Sequence, residues 1–246
     1  MLPMASRHVQ IDPIPAAVAA FRSEFRREHI GPRYHGWLHL GFTAGLCLLV
    51  IIACWAWLQD IRPLEWLTIP VTCLYANLVE YFGHRGPMHH PVRGLGLIYE
   101  RHARQHHRFF RDDLMAFDSS RDFKAVLFPP VLIVFYLLAF AMPAGLILAW
   151  LFSDNVALLF VITAVAYFLN YELLHFAYHT APESWVARLP LMPRLRRLHT
   201  LHHRPSLMQR YNFNITYPVG DVLFGTLYRQ PTGCEGSRQT DPRSAR

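Results

Sequence analysis

The chain has 246 residues, 52% of them hydrophobic, and a formal net charge of +7. This length suits one domain or at most two, and the apolar residues collect in long runs, which argues against an ordinary soluble core and for membrane spans. A basic balance can indicate nucleic-acid binding, but no such motif is present. We therefore expect no nucleic-acid partner and assign the charge to the flanks of membrane helices and to contacts with anionic lipid headgroups.

The N-terminal segment, residues 1–36, precedes the first apolar run. Val18, Phe21 and Phe25 recur at helical spacing within it. The segment is therefore either a short amphipathic helix on the membrane surface or a partly disordered terminus, and the sequence leaves both interpretations open.

Four apolar runs follow, at residues 37–58, 64–82, 125–152 and 156–174. Each approaches the length that a helix needs to cross a hydrocarbon core of about 30 Å. Short turns join the first run to the second and the third to the fourth, which predicts two transmembrane hairpins. Pro129 and Pro130 mark the entry of the third run, and Pro143 and Gly145 predict a kink or break within it.

The predicted fold class is an all-α integral membrane protein with four transmembrane helices. Residues 37–230 would form the membrane domain, and the polar tail 231–246 is expected to be disordered. Of the 24 basic residues, 23 lie before the first run, between the second and third, or after the fourth. Because positively charged loops stay on the cytoplasmic side, both termini and the middle loop are predicted to be cytoplasmic, where the polar segments form a helical cap.

Fifteen histidines are present, and ten of them form four clusters on that predicted cytoplasmic side. Histidines three or four residues apart face the same side of a helix, whereas adjacent ones diverge by about 100° and suit two metals side by side. The first pair is five residues apart, with Gly86 and Pro87 between, so we expect the helix to end there and the second histidine to swing back. The predicted metal ligands are His84, His89, His102, His106, His107, His175, His179, His199, His202 and His203.

A single histidine near a membrane is usually structural or interfacial, but ten in paired spacing indicate a metal centre, since neutral imidazole is the commonest metal ligand. All-imidazole sites suit iron, zinc, copper or nickel, and the spacing leaves these ions open. His90 adjoins the first cluster and is interpreted as supporting a ligand or as structural. We assign structural or interfacial roles to the remaining four, His8, His29, His35 and His39.

Carboxylates near the clusters have two interpretations. Soluble di-iron bundles use glutamate ligands, but the ten histidines already fill two sites. The carboxylates therefore either accept hydrogen bonds that fix the imidazole tautomers or make ordinary caps and arginine pairs. They are Glu80, Glu100, Glu172 and Asp221.

The clusters, with the patterns HX4H, HX3HH, HX3H and HX2HH, resemble those of the fatty acid hydroxylase/sterol desaturase superfamily over roughly residues 75–230. The second cluster departs from the fatty acid 2-hydroxylase branch, which more often has HX2HH, and residues 1–36 are too short for the cytochrome b5 domain that some members carry. Segments that resemble that branch are 80–85, 127–130, 171–179 and 212–216, followed by Asp221 and 224–226.

The resemblance implies a di-iron oxygenase that hydroxylates a lipid C–H bond, on a fatty acyl chain or related lipid, with O2 and external electrons. It implies two irons, with zinc as a substitute ion, a separate cytochrome b5- or ferredoxin-like electron donor, and no catalytic residue beyond the metal centre. Sterol or carotenoid hydroxylation or desaturation on the same scaffold stays open. A metal transporter would need ionisable residues lining a path through the spans, and the runs hold few: His39, Glu65, Glu80 and Glu172.

Overall fold

The computed structural model describes residues 15–229; residues 1–14 and 230–246, which include the predicted tail, lie outside the described part. Regular secondary structure within residues 15–229 is helical, apart from one isolated β-bridge between Arg111 and Leu114. The predicted all-helical class is therefore confirmed.

Helix α1 (Ala16–His29) lies in the N-terminal segment. Val18 and Phe25 are buried, and the ring of Phe25 packs edge-on against that of Phe109, with the centroids 5.3 Å apart. The predicted amphipathic helix is present, but its apolar face packs against other residues of the chain rather than facing a membrane surface. It is thereby anchored to the segment that follows the second histidine cluster.

Helices α2 (Gly36–Ala56) and α3 (Thr68–Gly83) correspond to the first and second apolar runs. A 3₁₀ turn, Pro63–Leu67, leads into α3. At this end of the molecule the carbonyl of Gln59 accepts a hydrogen bond from Nδ2 of Asn155 at 2.6 Å, and the buried Glu65 accepts one from Ser153 Oγ at 2.6 Å. The two predicted short turns are therefore in contact with each other.

The polar stretch after α3 folds into short helical pieces. A π-helical turn, His84–Met88, continues α3. Helix α4 (Gly96–Tyr99) runs into a second π-helical stretch, Glu100–His106, and then into α5 (His107–Phe109). Helix α6 (Phe123–Val126) ends the stretch.

The third apolar run is helical in two parts, α7 (Pro130–Tyr136) and α8 (Met142–Leu151), joined by a π-helical turn, Leu137–Ala141. Pro143 lies directly after that turn, and a proline lacks the N–H that the α-helical hydrogen-bond ladder requires. The predicted break in this run is thus present, as a π-helical turn just before the proline.

Helix α9 (Asp154–Tyr178) corresponds to the fourth run and packs against α2, α3 and α8. Ser153 caps its first turn by accepting a hydrogen bond from the Val156 N–H at 3.2 Å. Because α9 extends four residues beyond the predicted run, His175 lies within it. The C-terminal end of α9, with the third histidine cluster, therefore lies at the same end of the molecule as the C-terminal end of α3.

The C-terminal part of the described chain returns to α3. Helix α10 (Met192–His202) carries the fourth histidine cluster, and the short helix α11 (Val219–Leu223) packs against α3. Gly220 allows this approach, since a Cβ added there would lie 2.8 Å from Cβ of Tyr81. A larger residue at position 220 would push the two helices apart.

Three helical stretches within residues 15–229 are long and apolar enough to cross a membrane: Gly36–Ala56, Ser120–Leu151 and Asp154–Tyr178. Large apolar side chains on them are exposed, among them Leu49 and Trp150, as expected of surfaces in contact with lipid. Helix α3 has 16 residues and falls short of the roughly 20 that a span needs. These features indicate a membrane protein.

Candidate metal centre

All ten predicted ligands converge at one end of the helices, and each has an exposed fraction of 7% or less. Buried polar groups need partners, so the partners of these rings decide what the site can do. The ligand atoms form two groups, within each of which the donor atoms lie within 4.8 Å of one another. The five-histidine group is His84, His89, His102, His107 and His202, and the four-histidine group is His106, His175, His179 and His199.

His203 lies beside the four-histidine group. Its Nε2 is 3.2 Å from Nε2 of His106 and 3.0 Å from Nε2 of His199, while its ring centroid is 4.3 Å from that of His107. Sequence neighbours therefore diverge as their spacing predicts, with His106 and His107 in different groups and His202 and His203 on opposite sides. The two groups adjoin at these rings.

Two π-helical turns bring together histidines that are five residues apart. Nε2 of His84 lies 3.2 Å from that of His89, and Nε2 of His102 lies 3.1 Å from that of His107. An α-helix would separate residues i and i+5 by about 140°, whereas the wider π-helix forms i→i+5 hydrogen bonds and brings them together. The helix ends at Met88, between His84 and His89 as expected, and His89 returns to His84; the unexpected feature is that its last turn is π-helical rather than α-helical.

Backbone carbonyls fix five of the imidazole rings. A carbonyl oxygen only accepts, so each Nδ1 must donate, and each Nε2 is then an unprotonated acceptor. In each hydrogen bond, Nδ1 of the histidine donates to a carbonyl oxygen. The pairs are His84 with Phe213, His106 with Ala125 (2.9 Å), His179 with Met115 (2.8 Å), His202 with Tyr211 (3.0 Å) and His203 with Phe110 (2.8 Å).

The contact between His106 and His203 tests whether a metal ion fits. Both rings donate through Nδ1, so two Nε2 lone pairs face each other at 3.2 Å and cannot hydrogen-bond together. Two acceptor lone pairs that face each other in a buried site repel, whereas a cation between them makes both nitrogens into ligands. Two nitrogens bound at about 2.1 Å and at right angles to each other lie roughly 3 Å apart. The donor set and its spacing therefore fit ions that take imidazole nitrogen, such as iron or zinc.

Burial lowers the pKa of the clustered histidines that lie outside the apolar helices, and it lowers those of His106 and His202 to about 4. The main cause is desolvation, which disfavours the charged imidazolium. The pKa values of His102 and His107 are also lowered, by burial and by the neighbouring rings. These rings are therefore neutral at physiological pH, which is the form that binds metals.

Glu80 and Asp221 act on the backbone rather than on the imidazoles. Glu80 accepts hydrogen bonds from two N–H groups and a hydroxyl of segment 213–216, and Asp221 accepts from two further N–H groups of that segment at 2.9 and 2.8 Å. The carbonyl of Phe213 in this segment orients His84. For these two residues, the interpretation that a carboxylate bonds directly to an imidazole is wrong, because carbonyls take that place.

The other two carboxylates have ordinary structural partners. Glu172 accepts a hydrogen bond from the N–H of Phe128 at 3.2 Å, and Glu100 pairs with Arg104 at 3.4 Å. Capping and arginine pairing, the second of the two interpretations, therefore describe them.

The described histidines outside the clusters belong to neither of the two groups. His39 is buried, and its ring bonds to the Tyr34 hydroxyl and to the carbonyl of Phe128 at 2.8 Å each, which makes it structural. His90, His29 and His35 are exposed, and His8 lies outside residues 15–229.

Sequence reasoning did not identify the residues whose carbonyls orient the ligands. Every residue type has a carbonyl, so composition carries no signal for this role. The only available signal is proximity, since most of them lie within about ten residues of a histidine cluster. They are Phe110, Met115, Ala125, Tyr211 and Phe213.

Comparison with known families agrees with this geometry. The family model described as fatty acid hydroxylase matches residues 69–226, or 158 of the 246 residues, and this range contains all ten predicted ligands. Comparisons with curated proteins and with solved structures gave no match. On the match to well over half of its length, the chain belongs to the fatty acid hydroxylase family.

Proposed function

We propose that this protein is a membrane-bound di-iron oxygenase that hydroxylates a C–H bond of a fatty acyl chain or a related lipid, using O2 and external electrons. Its family and the two groups of buried histidines support the proposal. An unactivated C–H bond needs a strong oxidant, which no side chain supplies. Iron bound in the two groups would supply that redox chemistry.

The observation that carries the proposal is that imidazole nitrogens lie within 3.2 Å of one another although they cannot all form hydrogen bonds with each other. His106 and His203 are the clearest case, with both tautomers fixed by carbonyls. In the other group, Nε2 of His84 and Nε2 of His202 are acceptors fixed in the same way, and they lie 3.2 and 3.0 Å from Nε2 of His89, which can donate to only one of them. Each group therefore presents lone pairs to a common point.

The part of the protein in this chemistry is to bind and to orient. The carbonyl hydrogen bonds hold Nε2 of His84, His106, His179, His202 and His203 toward the centre. Burial of all ten rings excludes water from it. The groups adjoin, with the rings of His107 and His203 at 4.3 Å, so two ions would act on one substrate. Such prior placement lowers the entropic cost of the reaction.

The membrane placement is also proposed. We add α3 as a fourth span, because the 3₁₀ turn before it extends the helical stretch to residues 63–83, or 21 residues, which suits a core of about 30 Å. With four such spans, 23 of the 24 basic residues would lie on the histidine side, and by the positive-inside rule this side would be cytoplasmic. The spans would form two hairpins that carry the centre in a cytoplasmic cap, close to the acyl chains of the bilayer.

The electron donor would be a separate protein of the cytochrome b5 or ferredoxin type. The charge distribution supports this, since a strongly basic cytoplasmic surface favours encounter with an acidic partner. Association should therefore weaken as the salt concentration rises.

Mass spectrometry of the lipids of cells with and without the gene tests the proposal. We expect a hydroxylated lipid that requires the gene and whose hydroxyl group carries the isotope when the cells receive labelled O2. Cells expressing the His107→Ala variant at the same level provide the control and should lack this lipid. A product with a new double bond and no added oxygen would instead indicate a desaturase, and unchanged lipids would contradict the proposal.

A further inference from the structure

Arg22 of α1 is buried, with 1% of its side chain exposed, although it lies outside the part of the chain that matches the family. Burying a guanidinium is costly unless its donors are used. Its Nε donates to the carbonyl of Phe109 at 2.9 Å, and its Nη2 donates to the carbonyls of Leu114 and Ala116 at 3.1 Å each. One side chain therefore binds three carbonyls of the segment 109–116.

The same segment supplies carbonyls to two histidines of the candidate centre. Phe110 accepts from Nδ1 of His203, and Met115 accepts from Nδ1 of His179, both at 2.8 Å. The carbonyls of Leu114 and Ala116, on either side of Met115, accept from Arg22 of α1, whereas the carbonyl of Met115 accepts from His179. Movement of the segment would therefore turn both rings.

We infer that Arg22 is a positioning residue for the four-histidine group: it holds segment 109–116 so that its carbonyls orient His179 and His203. This inference rests on the two-metal centre of the proposed function. The five-histidine group has separate support, because Asp221 holds the backbone whose carbonyl orients His84. Loss of Arg22 therefore weakens the binding of one metal and spares the other.

The geometry requires arginine. A guanidinium presents five donors in a fixed plane, whereas a lysine ammonium has three donors around one point and cannot reach three separated carbonyls. Nη1 of Arg22 also donates to Asp118 at 3.2 Å, which balances the charge. Its carbon Cζ lies 4.7 Å from the centroid of the Phe109 ring, so this ring packs against the guanidinium plane.

Iron binding in two backgrounds tests the inference without relying on turnover. His102→Ala disables the five-histidine group, and His175→Ala disables the four-histidine group, so each background retains one iron site. Purified protein is dialysed without oxygen against a series of buffered ferrous iron concentrations, and bound iron is measured by elemental analysis. Adding Arg22→Met to the His102→Ala background should weaken iron binding by about 10- to 100-fold, the usual cost of losing support for a ligand.

The same substitution in the His175→Ala background should change affinity by no more than about twofold, as for independent sites. Arg22→Lys should give an intermediate loss, and it carries the test if Arg22→Met does not fold. Arg27→Met is the matched control on the same helix, since that side chain is 72% exposed and pairs with Glu28; it should have no effect. Circular dichroism and thermal unfolding in detergent identify variants that are simply unfolded.

Equal losses in both backgrounds, or a loss in neither, would overturn the role of Arg22 and leave the proposed function standing. A wild-type protein that saturates with fewer than two irons per chain would contradict the two-metal function itself, and this inference with it. A loss confined to the His102→Ala background, partly restored by lysine, supports the inference.

Discussion

Replacing His106 or His107 with alanine separates the two halves of the candidate centre. The residues are adjacent in sequence but belong to different groups. We expect each variant to retain one iron per chain instead of two. Both should lose hydroxylation, since the proposed reaction uses both ions.

The size of the effect follows from sharing the binding energy among ligands. A structural zinc site of four ligands has an apparent binding free energy of about 10–16 kcal/mol. Each imidazole then contributes roughly 2.5–4 kcal/mol, or about 100- to 1,000-fold in affinity. Nε2 of His106 lies 3.1 Å from that of His175 and 3.2 Å from that of His203. Its removal therefore affects the centre of the four-histidine group.

The assay combines elemental analysis of detergent-purified protein with mass spectrometry of the product lipid. His39→Ala is the matched control, because His39 is buried and makes two hydrogen bonds but lies outside both groups. It should lower the free energy of unfolding by about 1–3 kcal/mol and still bind two irons. The exposed His90→Ala variant should also keep both. The grouping is refuted if the His106 and His107 variants keep two irons and full turnover while the His39 variant loses iron.

Three further outcomes follow from the structure. Reporters fused at residue 36, within 90–120 and after 180 should all be cytoplasmic, as the basic residues predict; a different result for 90–120 would separate the histidine clusters across the membrane. The metal-free protein should lose stability as the pH falls below about 6.5. Histidines of the unfolded chain then bind protons, whereas the buried ones do not, since the pKa values of His106 and His202 are lowered to about 4. Urea unfolding from pH 8 to 5 measures this change, and greater stability in acid would contradict it. Gly220→Ala should lower the melting temperature and the iron content, because its Cβ would lie 2.8 Å from Tyr81; Gly41→Ala, where a Cβ meets nothing within 4 Å, is the control.

The convergence of the ten histidines could be predicted from sequence because a metal site places strong demands on residue type and spacing. His175 and His179 are four residues apart at the C-terminal end of α9, and the structure places both in one group. The division of adjacent histidines between groups also follows from the helical angle between neighbours.

The π-helical turns could not be predicted, since their residues have no distinctive pattern. The HX3HH spacing favours His102 and His106 as partners on an α-helix. The π-helical stretch instead places His102 with His107 in one group and leaves His106 for the other. A wider turn is favoured here by the convergence of many buried rings, which is a property of the tertiary fold rather than of local propensity.

The support of the ligands was equally beyond sequence reasoning, because it depends on contacts between distant residues. Arg22 and the carbonyl of Leu114 are 92 positions apart, and Glu80 and Thr216 are 136 apart. In a sequence, Arg22 is one basic residue among 24. Only the fold shows that its donors are directed to the backbone beside a ligand.

The proposed all-imidazole centre would bring no negative charge to balance two divalent ions, so the surrounding dipoles would matter more than in a carboxylate-rich site. The carbonyl oxygens that fix His84, His179 and His203 direct partial negative charge toward these rings. Their carboxylate and guanidinium supports, Asp221 and Arg22, stand one step farther out and act on the backbone. This arrangement keeps full charges away from the ligands, and it gives each group a support from a different part of the chain. Removing one support should therefore lower the affinity for one metal ion and leave the affinity for the other unchanged.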